Sequence, residues 1–206
     1  HALVENNKIT KLFHYPRGFE LNNKLYPADV FTKWTDEERK NIGLYEVIED
    51  KSNYKSNEYY NIGNEKFTIT EDNVVKSWDT PVEKPLLDIL YNTDDQDNDL
   101  IPSDKSVGDI KIKGLKTIKK EEIKKEAQSI LSKTDWQVIK ATELSDYNVP
   151  SNILSFRTDV RNKSNEMETL IDDASDIDAL QNLYTYKAQD DGTQVRPLGE
   201  FPILEV

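Results

Sequence analysis

The hydrophobic pattern of the chain changes once along its length, and this change limits the folds open to it. In residues 1–80, apolar residues form short runs separated by turn signals, as in short β-strands. In residues 117–186, they recur every three or four positions, as along one side of a helix. The stretch between them, 81–116, is polar, acidic and rich in turn-forming residues. The sequence therefore predicts an α+β fold: a small β-rich N-terminal module, an acidic linker and a C-terminal helical hairpin or bundle.

The β-rich module carries a clear hairpin signal. The stretch FELNNKLYP places an Asn22-Asn23 pair between two apolar-polar alternations and ends at Pro27. Further along, EYYNIGNEKFTITEDNVVKSWD alternates strand-forming residues with turn residues. We therefore expect a hairpin followed by a meander of short strands.

A short helix interrupts these strands in FTKWTDEERKNIG. Thr35 and Glu38 have the spacing of a capping box, and Gly43 is a residue that commonly ends a helix. Trp34 directly precedes the cap, and we consider it a candidate structural or interface residue.

The helical module is predicted to contain several helices. The first, about 117–133, has an apolar side that includes Ile123, Ala127, Ile130 and Leu131. A third helix opens at Pro150, a favoured first helical residue, and a last short helix is capped at Ser175. Residues 187–206 are expected to form an extended tail.

The second helix of this module begins in the stretch LSKTDWQVIKATE. Thr134 is predicted to cap it, with Gln137 completing a capping box, and Asp135 in the first turn favours the positive end of the helix dipole. Trp136 is expected to pack back near Ile130 and Leu131.

Three charged residues complete this junction. Arg157 and Arg161 are four apart, hence on one side of the third helix, and both are expected to form ion pairs with Glu143 or other acids. The structural or interface candidates are therefore the following: Trp34, Asp135, Trp136, Glu143, Arg157 and Arg161.

The chain carries little that indicates catalysis, cofactor binding or metal binding. It has no cysteine and two histidines, and no glycine-rich phosphate-binding motif occurs among its seven glycines. The stretch DDQDND resembles the start of a calcium loop, but Leu100 and Ser106 stand where that loop needs glycine and glutamate. We expect no enzyme activity, no cofactor and no metal.

The net charge of the chain limits which partners it can bind. The net charge of −12 disfavours nucleic acids and anionic membranes at long range. The stretch from Lys111 to Lys125 is locally basic, with seven lysines against two glutamates. We interpret it as a solvated helix surface, with docking to an acidic partner left open. No apolar run approaches the ~20 residues that span a membrane, and the first residues do not resemble a secretory signal.

Two blocks of the chain resemble bacteriophage proteins of the tail-fibre-assembly, or tail assembly chaperone, family. The first is YPADVFTKWTDEERKNIGLYEV, residues 26–47. The second and more specific block is LSKTDWQVIKATELSDYNVPSNILSFRTDVRNKSNEMETLIDD, residues 131–173. Its positions in register with the family pattern are Thr134, Asp135, Trp136, Glu143, Pro150, Arg157 and Arg161. The resemblance implies a protein of the virion, assembled in the host cytoplasm, whose partners are other phage tail or virion proteins.

The predicted function is that of a non-enzymatic bacteriophage structural protein, a tail or tail-fibre-associated virion component that mediates protein–protein contacts. The low apolar content, 36%, suits a chain whose fold is completed by its neighbours. Two alternatives are left open: a transient tail-fibre assembly chaperone absent from the mature particle, and a glycan-acting enzyme. Self-association of the chain is also left open.

Overall fold

The chain divides into two compact units in the computed structural model, which describes residues 1–204. The units are His1–Val82 and Glu83–Val206. Short strands dominate the first unit and helices dominate the second. The predicted α+β fold, β-rich at the N-terminus and helical at the C-terminus, is thereby confirmed.

The first unit consists of short strands and two short helices. In chain order they are β1 (Ala2–Glu5), β2 (Lys8–Leu12), β3 (Phe19–Leu21), β4 (Lys24–Tyr26), α1 (Val30–Lys33), α2 (Asp36–Asn41), β5 (Leu44–Tyr45), β6 (Val47–Glu49), β7 (Tyr60–Asn61), β8 (Glu65–Ile69) and β9 (Val74–Trp78), with β10 (Val82–Glu83) at its C-terminal limit. Three sheets contain most of these strands, and a fourth pairs β7 with β10. The first is an antiparallel sheet β2-β1-β5, the second a β3–β4 hairpin, and the third a mixed sheet β6-β9-β8 in which β6 and β9 are parallel.

The predicted β3–β4 hairpin is confirmed, including its turn. Asn22 and Asn23 have φ angles of 50° and 59°, the left-handed conformation that a two-residue hairpin turn requires and that asparagine tolerates. The β1–β2 hairpin turns in the same way at Asn6 and Asn7, with φ angles of 52° and 59°. This second hairpin was not predicted, although the same Asn-Asn signal is present in the sequence.

The capping box of helix α2 is also confirmed. The Thr35 hydroxyl accepts a hydrogen bond from the Glu38 N–H (3.2 Å), and the Glu38 carboxylate accepts one from the Thr35 N–H (2.8 Å). The Glu38 carboxylate also accepts a hydrogen bond from the Thr35 hydroxyl at 3.0 Å. The hydrogen bond from the Thr35 N–H, and then that from its hydroxyl, hold the pKa of Glu38 below its usual value. Gly43 follows the helix with a φ of +77°, and a Cβ there would collide with the Val4 carbonyl oxygen. Glycine is therefore required at this helix end.

An aromatic cluster forms the core of the first unit. Phe13, Phe19 and Phe31 have ring centroids 5.1–5.9 Å apart, in the tilted and edge-to-face arrangements that aromatic pairs prefer. Aliphatic side chains that include Val30 and Leu44, both fully buried, complete this cluster.

The second unit consists of four longer helices with short strands before and after them. In chain order its elements are β11 (Ile89–Leu90), α3 (Thr93–Asp97), β12 (Ile110–Ile112), α4 (Leu115–Ser132), α5 (Asp135–Glu143), α6 (Ser151–Asp173), α7 (Ile177–Tyr184), β13 (Lys187–Ala188) and β14 (Gln194–Val195). Helices α4 and α6 pack along each other through the predicted apolar sides, which bury Ile123, Ala127, Phe156, Val160 and Met167. Helix α7 differs in one detail, since Asp176 and not Ser175 caps it, accepting from the Ala179 N–H at 2.7 Å.

The stretch expected to be a linker contains ordered structure from β11 to the start of α4. The Leu115 and Lys116 N–H groups at the start of α4 donate to the Pro85 and Leu86 carbonyl oxygens at 2.8 and 3.1 Å. The Asp88 carboxylate accepts from the Gly114 N–H at 2.6 Å and from the Thr117 hydroxyl at 2.9 Å. This segment therefore satisfies the first N–H groups of α4, which have no partner within the helix.

The C-terminal segment, residues 196–204, lies in the predicted extended tail and packs against the helices. Leu198 is fully buried, and its N–H donates to the Leu183 carbonyl oxygen at 3.0 Å. Phe201 and Leu204 pack against the cluster of Ala127, Phe156 and Val160 between α4 and α6. The apolar residues of this segment thus cover a part of the helical core that the helices alone leave open.

Within residues 1–204, none of the helices combines the length and the apolar character needed to cross a membrane.

Candidate protein-interaction site

The guanidinium of Arg157 holds the junction of α4 and α5 together. Arg157 lies on α6 and is 8% exposed. Its Nη1 donates to the Leu131 carbonyl oxygen (2.8 Å) and the Thr134 hydroxyl (2.6 Å), and its Nη2 donates to Asp135 Oδ1 (2.7 Å). The planar guanidinium can serve three acceptors at once because its donors point in fixed directions. One side chain of α6 therefore sets where α4 ends and where α5 begins.

Thr134 precedes α5 as predicted, but its hydroxyl does not cap the helix. The side chain is buried and donates to the Leu131 carbonyl oxygen at 3.0 Å while accepting from Arg157. The predicted capping box with Gln137 is therefore wrong. Gln137 instead accepts a hydrogen bond from the Tyr147 hydroxyl at 3.2 Å. The buried arginine competes for the hydroxyl because an unsatisfied buried guanidinium would be costly.

The predicted ion pairs with Glu143 are also not formed within residues 1–204. Arg157 pairs with Asp135, and Arg161 Nη1 donates to the Arg157 carbonyl oxygen at 3.2 Å. Glu143 lies eight residues after Asp135, about 12 Å further along the helix axis. A guanidinium that binds the first turn of α5 cannot also reach its last turn.

Trp136 stays largely exposed and is not part of the core between α4 and α6, contrary to the expectation. The side chain is 56% exposed, and α5 buries none of its residues. Phe201 and Leu204 of the C-terminal segment pack, together with Ile130 and Leu131, against the cluster of Ala127, Phe156 and Val160. The sequence gives no periodic signal for this packing, because the two segments are far apart in the chain.

An exposed apolar surface results on α5. Ile139 is 56% exposed like Trp136 and follows it by three residues, so the two side chains share one side of the helix. Glu143 lies on the same side by its spacing and is also exposed. We call Trp136, Ile139 and Glu143 the α5 surface. Ile139 was not singled out from the sequence, although its spacing from Trp136 could have identified it.

A cleft of about 410 Å³ lies between α4, α6 and the first residue of α5. Its lining includes Lys124, Leu131, Asp135, Arg157 and Arg161. Lys124 is paired with Glu168 at 3.1 Å, and Arg157 with Asp135. The cleft thus brings together Asp135, Arg157 and Arg161 of the predicted set.

Trp34 lies in the other unit and takes a structural position. Its side chain is half-buried against the aromatic core, and its ring meets that of Tyr26 edge-to-face at 6.0 Å. Its carbonyl oxygen accepts from Arg39 Nη1 at 2.6 Å, which links it to α2.

The acidic stretch at 94–99 forms helix α3 rather than a continuous loop. Asp95 accepts hydrogen bonds from the Asn92 N–H (3.1 Å) and from Lys111 Nζ (2.5 Å). The hydrogen bond from Lys111, and then that from Asn92, hold the pKa of Asp95 below its usual value. In the part of the chain that the structure describes, no group of three or more His, Cys, Asp or Glu side chains is arranged to hold a metal ion.

The chain matches no protein-family model, no curated protein and no solved structure.

Proposed function

We propose that the chain is a non-enzymatic structural component of a bacteriophage virion, associated with the tail or tail fibre, that acts through protein–protein contacts. The observation that carries the proposal is the α5 surface. An exposed tryptophan and an exposed isoleucine lie side by side on a helix whose start is fixed by Arg157. Tryptophan is enriched among the residues that dominate binding energy at protein interfaces.

The fixed position of α5 supports a binding role. A helix whose start is already held in place loses less conformational entropy when a partner binds it. Arg157 and Thr134, both buried, orient the first turn of α5, which carries Trp136. The resemblance of residues 131–173 to phage tail-assembly proteins covers this same junction and supports a partner among tail or virion proteins.

The proposal is tested in a phage that encodes the chain. Particles are purified and the protein is quantified by mass spectrometry, for the natural chain and for Trp136→Ala. We expect the natural chain in the particle and a loss of incorporation of about tenfold or more for the variant, because truncation of a central interface tryptophan commonly costs more than ~2 kcal/mol. The control is Tyr15→Ala, which truncates an equally exposed aromatic residue in the first unit.

Two outcomes contradict the proposal. If the natural chain is missing from purified particles, the alternative of a transient assembly chaperone replaces it. If Trp136→Ala is incorporated as well as the natural chain, the α5 surface is not the contact surface. The variant's thermal unfolding is measured in parallel, and we expect it to be nearly unchanged because Trp136 is exposed.

A further inference from the structure

The strands β11 and β12 form an exposed apolar ribbon in the second unit. They pair antiparallel, with Ile89 opposite Ile112 and Leu90 opposite Ile110, and every residue of both strands is exposed. Residues near them in the chain extend the apolar surface. The exposed apolar residues of this region, each between 37% and 65% exposed, are Leu87, Ile89, Leu90, Leu100, Val107, Ile110 and Ile112. Groups of exposed apolar side chains, such as the paired residues of β11 and β12, mark interaction sites in soluble proteins.

The ribbon is held in place at its base. Pro85 and Leu86 accept hydrogen bonds from the first N–H groups of α4, and Asp88 accepts from Gly114 and Thr117. An isolated two-stranded ribbon is only marginally stable in water. Attachment to an 18-residue helix therefore orders the ribbon in advance, so that a partner does not have to bear that cost.

The segment that joins the two strands is acidic, and we call its aspartates the acidic rim. Residues 86–112, which include both strands, contain seven aspartates and two lysines. Asp95 and Asp88 are occupied by the hydrogen bonds described above, whereas four other aspartates are exposed and form no ion pair within residues 1–204. These four are Asp94, Asp97, Asp99 and Asp104.

The charge selects the kind of partner. A second copy of this chain would bring a further net charge of −12 against the acidic rim, and like charges at an interface oppose association. A segment with basic and aliphatic residues complements both the rim and the ribbon. The β11–β12 sheet has only two strands in the described chain, so each strand has an outer edge to which an extended segment can add as a third strand.

We propose that the β11–β12 ribbon binds an extended segment of another protein in which lysine or arginine alternates with aliphatic residues. The aliphatic side chains contact the exposed isoleucines and leucines, and the cations pair with the rim aspartates. This site shares no residue with the α5 surface, so the two proposals can be tested independently of each other.

The test measures binding of a short synthetic peptide of alternating lysine and valine to the full chain, by fluorescence anisotropy at low salt. A peptide with glutamate in place of lysine is the probe control. We expect binding of the lysine peptide only. Ile89→Ser combined with Ile112→Ser leaves the charge unchanged and should weaken binding about tenfold or more, because apolar contact is lost.

Two further variants separate the contributions. Asp97→Asn combined with Asp99→Asn should also weaken binding and reduce its salt dependence. Ile48→Ser removes an isoleucine of the first unit that is 43% exposed, as Ile89 is, and should leave binding unchanged. All substituted side chains are exposed, so the variants are expected to remain folded, as checked by circular dichroism.

Three results overturn the proposal. The first is equal binding of the glutamate peptide. The second is unchanged affinity of the Ile89→Ser, Ile112→Ser variant, which would reduce the interaction to non-specific charge attraction. The third is self-association of the natural chain in sedimentation velocity that this variant abolishes, which would make a second copy the occupant of the ribbon.

Discussion

At the scale of single residues, the helical junction depends on one arginine. Arg157 is the side chain that links the end of α4, the Thr134 hydroxyl and the first turn of α5. Arg161, one helical turn later, donates to the Arg157 carbonyl oxygen. Two arginines that share one side of a helix therefore have different roles, because only one of them is buried.

This difference gives a prediction for stability. Arg157→Ala removes charged hydrogen bonds from buried acceptors and should lower the free energy of unfolding by about 2–4 kcal/mol. Arg161→Ala should change it by less than about 0.5 kcal/mol. The free energy of unfolding of Arg157→Lys should be close to that of Arg157→Ala, since an ammonium group lacks the planar fork that serves three acceptors. Urea denaturation followed by circular dichroism measures all three, and equal losses for the two alanine variants would contradict the assignment.

At the scale of secondary-structure elements, the long helices are completed by segments distant in sequence. The N–H groups at the start of α4 are satisfied by residues 85–88, and the core between α4 and α6 is covered by the C-terminal segment. The helices supply the periodic apolar sides, and the irregular segments close the gaps that remain. The periodic pattern of the helices does not show which irregular segments will close these gaps.

The C-terminal segment is therefore predicted to be stabilising. Leu198→Ala removes a fully buried side chain and should lower the free energy of unfolding by about 2–4 kcal/mol. Ile203→Ala, in the same segment but 89% exposed, should be nearly neutral. Thermal unfolding monitored by helix ellipticity distinguishes the two. A neutral Leu198→Ala would mean that the segment is as free as an extended tail.

At the scale of the whole molecule, the chain consists of two units that differ in the source of their cores. Aromatic side chains from short strands and α1 form the core of His1–Val82. In Glu83–Val206, aliphatic and aromatic side chains from α4, α6 and the C-terminal segment do so. The second unit includes the segment that the sequence indicated as a linker.

The extent of the second unit is testable with two fragments. A fragment of residues 83–206 contains Asp88, the helices and the C-terminal segment, and should fold cooperatively by itself. A fragment of residues 117–186, the helical module as predicted from the sequence, lacks those contacts and should be less stable by several kcal/mol, roughly the sum of a lost cap and a buried leucine. Equal melting temperatures of the two fragments would show that the flanking segments contribute nothing.

The sequence by itself determined the features that depend on neighbours along the chain. Hairpin turns at Asn-Asn pairs, the Thr35–Glu38 capping box and the apolar sides of α4 and α6 follow from local geometry and from periods of two or 3.6 residues. These features also gave the α+β layout, and the arginine that organises the junction was among the predicted site residues.

Tertiary structure decided what depends on competition between distant groups. Thr134 has the sequence of a helix cap, but its hydroxyl is taken by Arg157, 23 positions away. Trp136 is a residue type common in cores, but it stays exposed, while Phe201 and Leu204 pack against the core between α4 and α6. In the same way, tertiary structure places Asp88, in the acidic segment predicted as a linker, at the start of α4, where it accepts from the Gly114 N–H. Burial and hydrogen bonding can each be satisfied by several candidates, and only the folded arrangement selects among them.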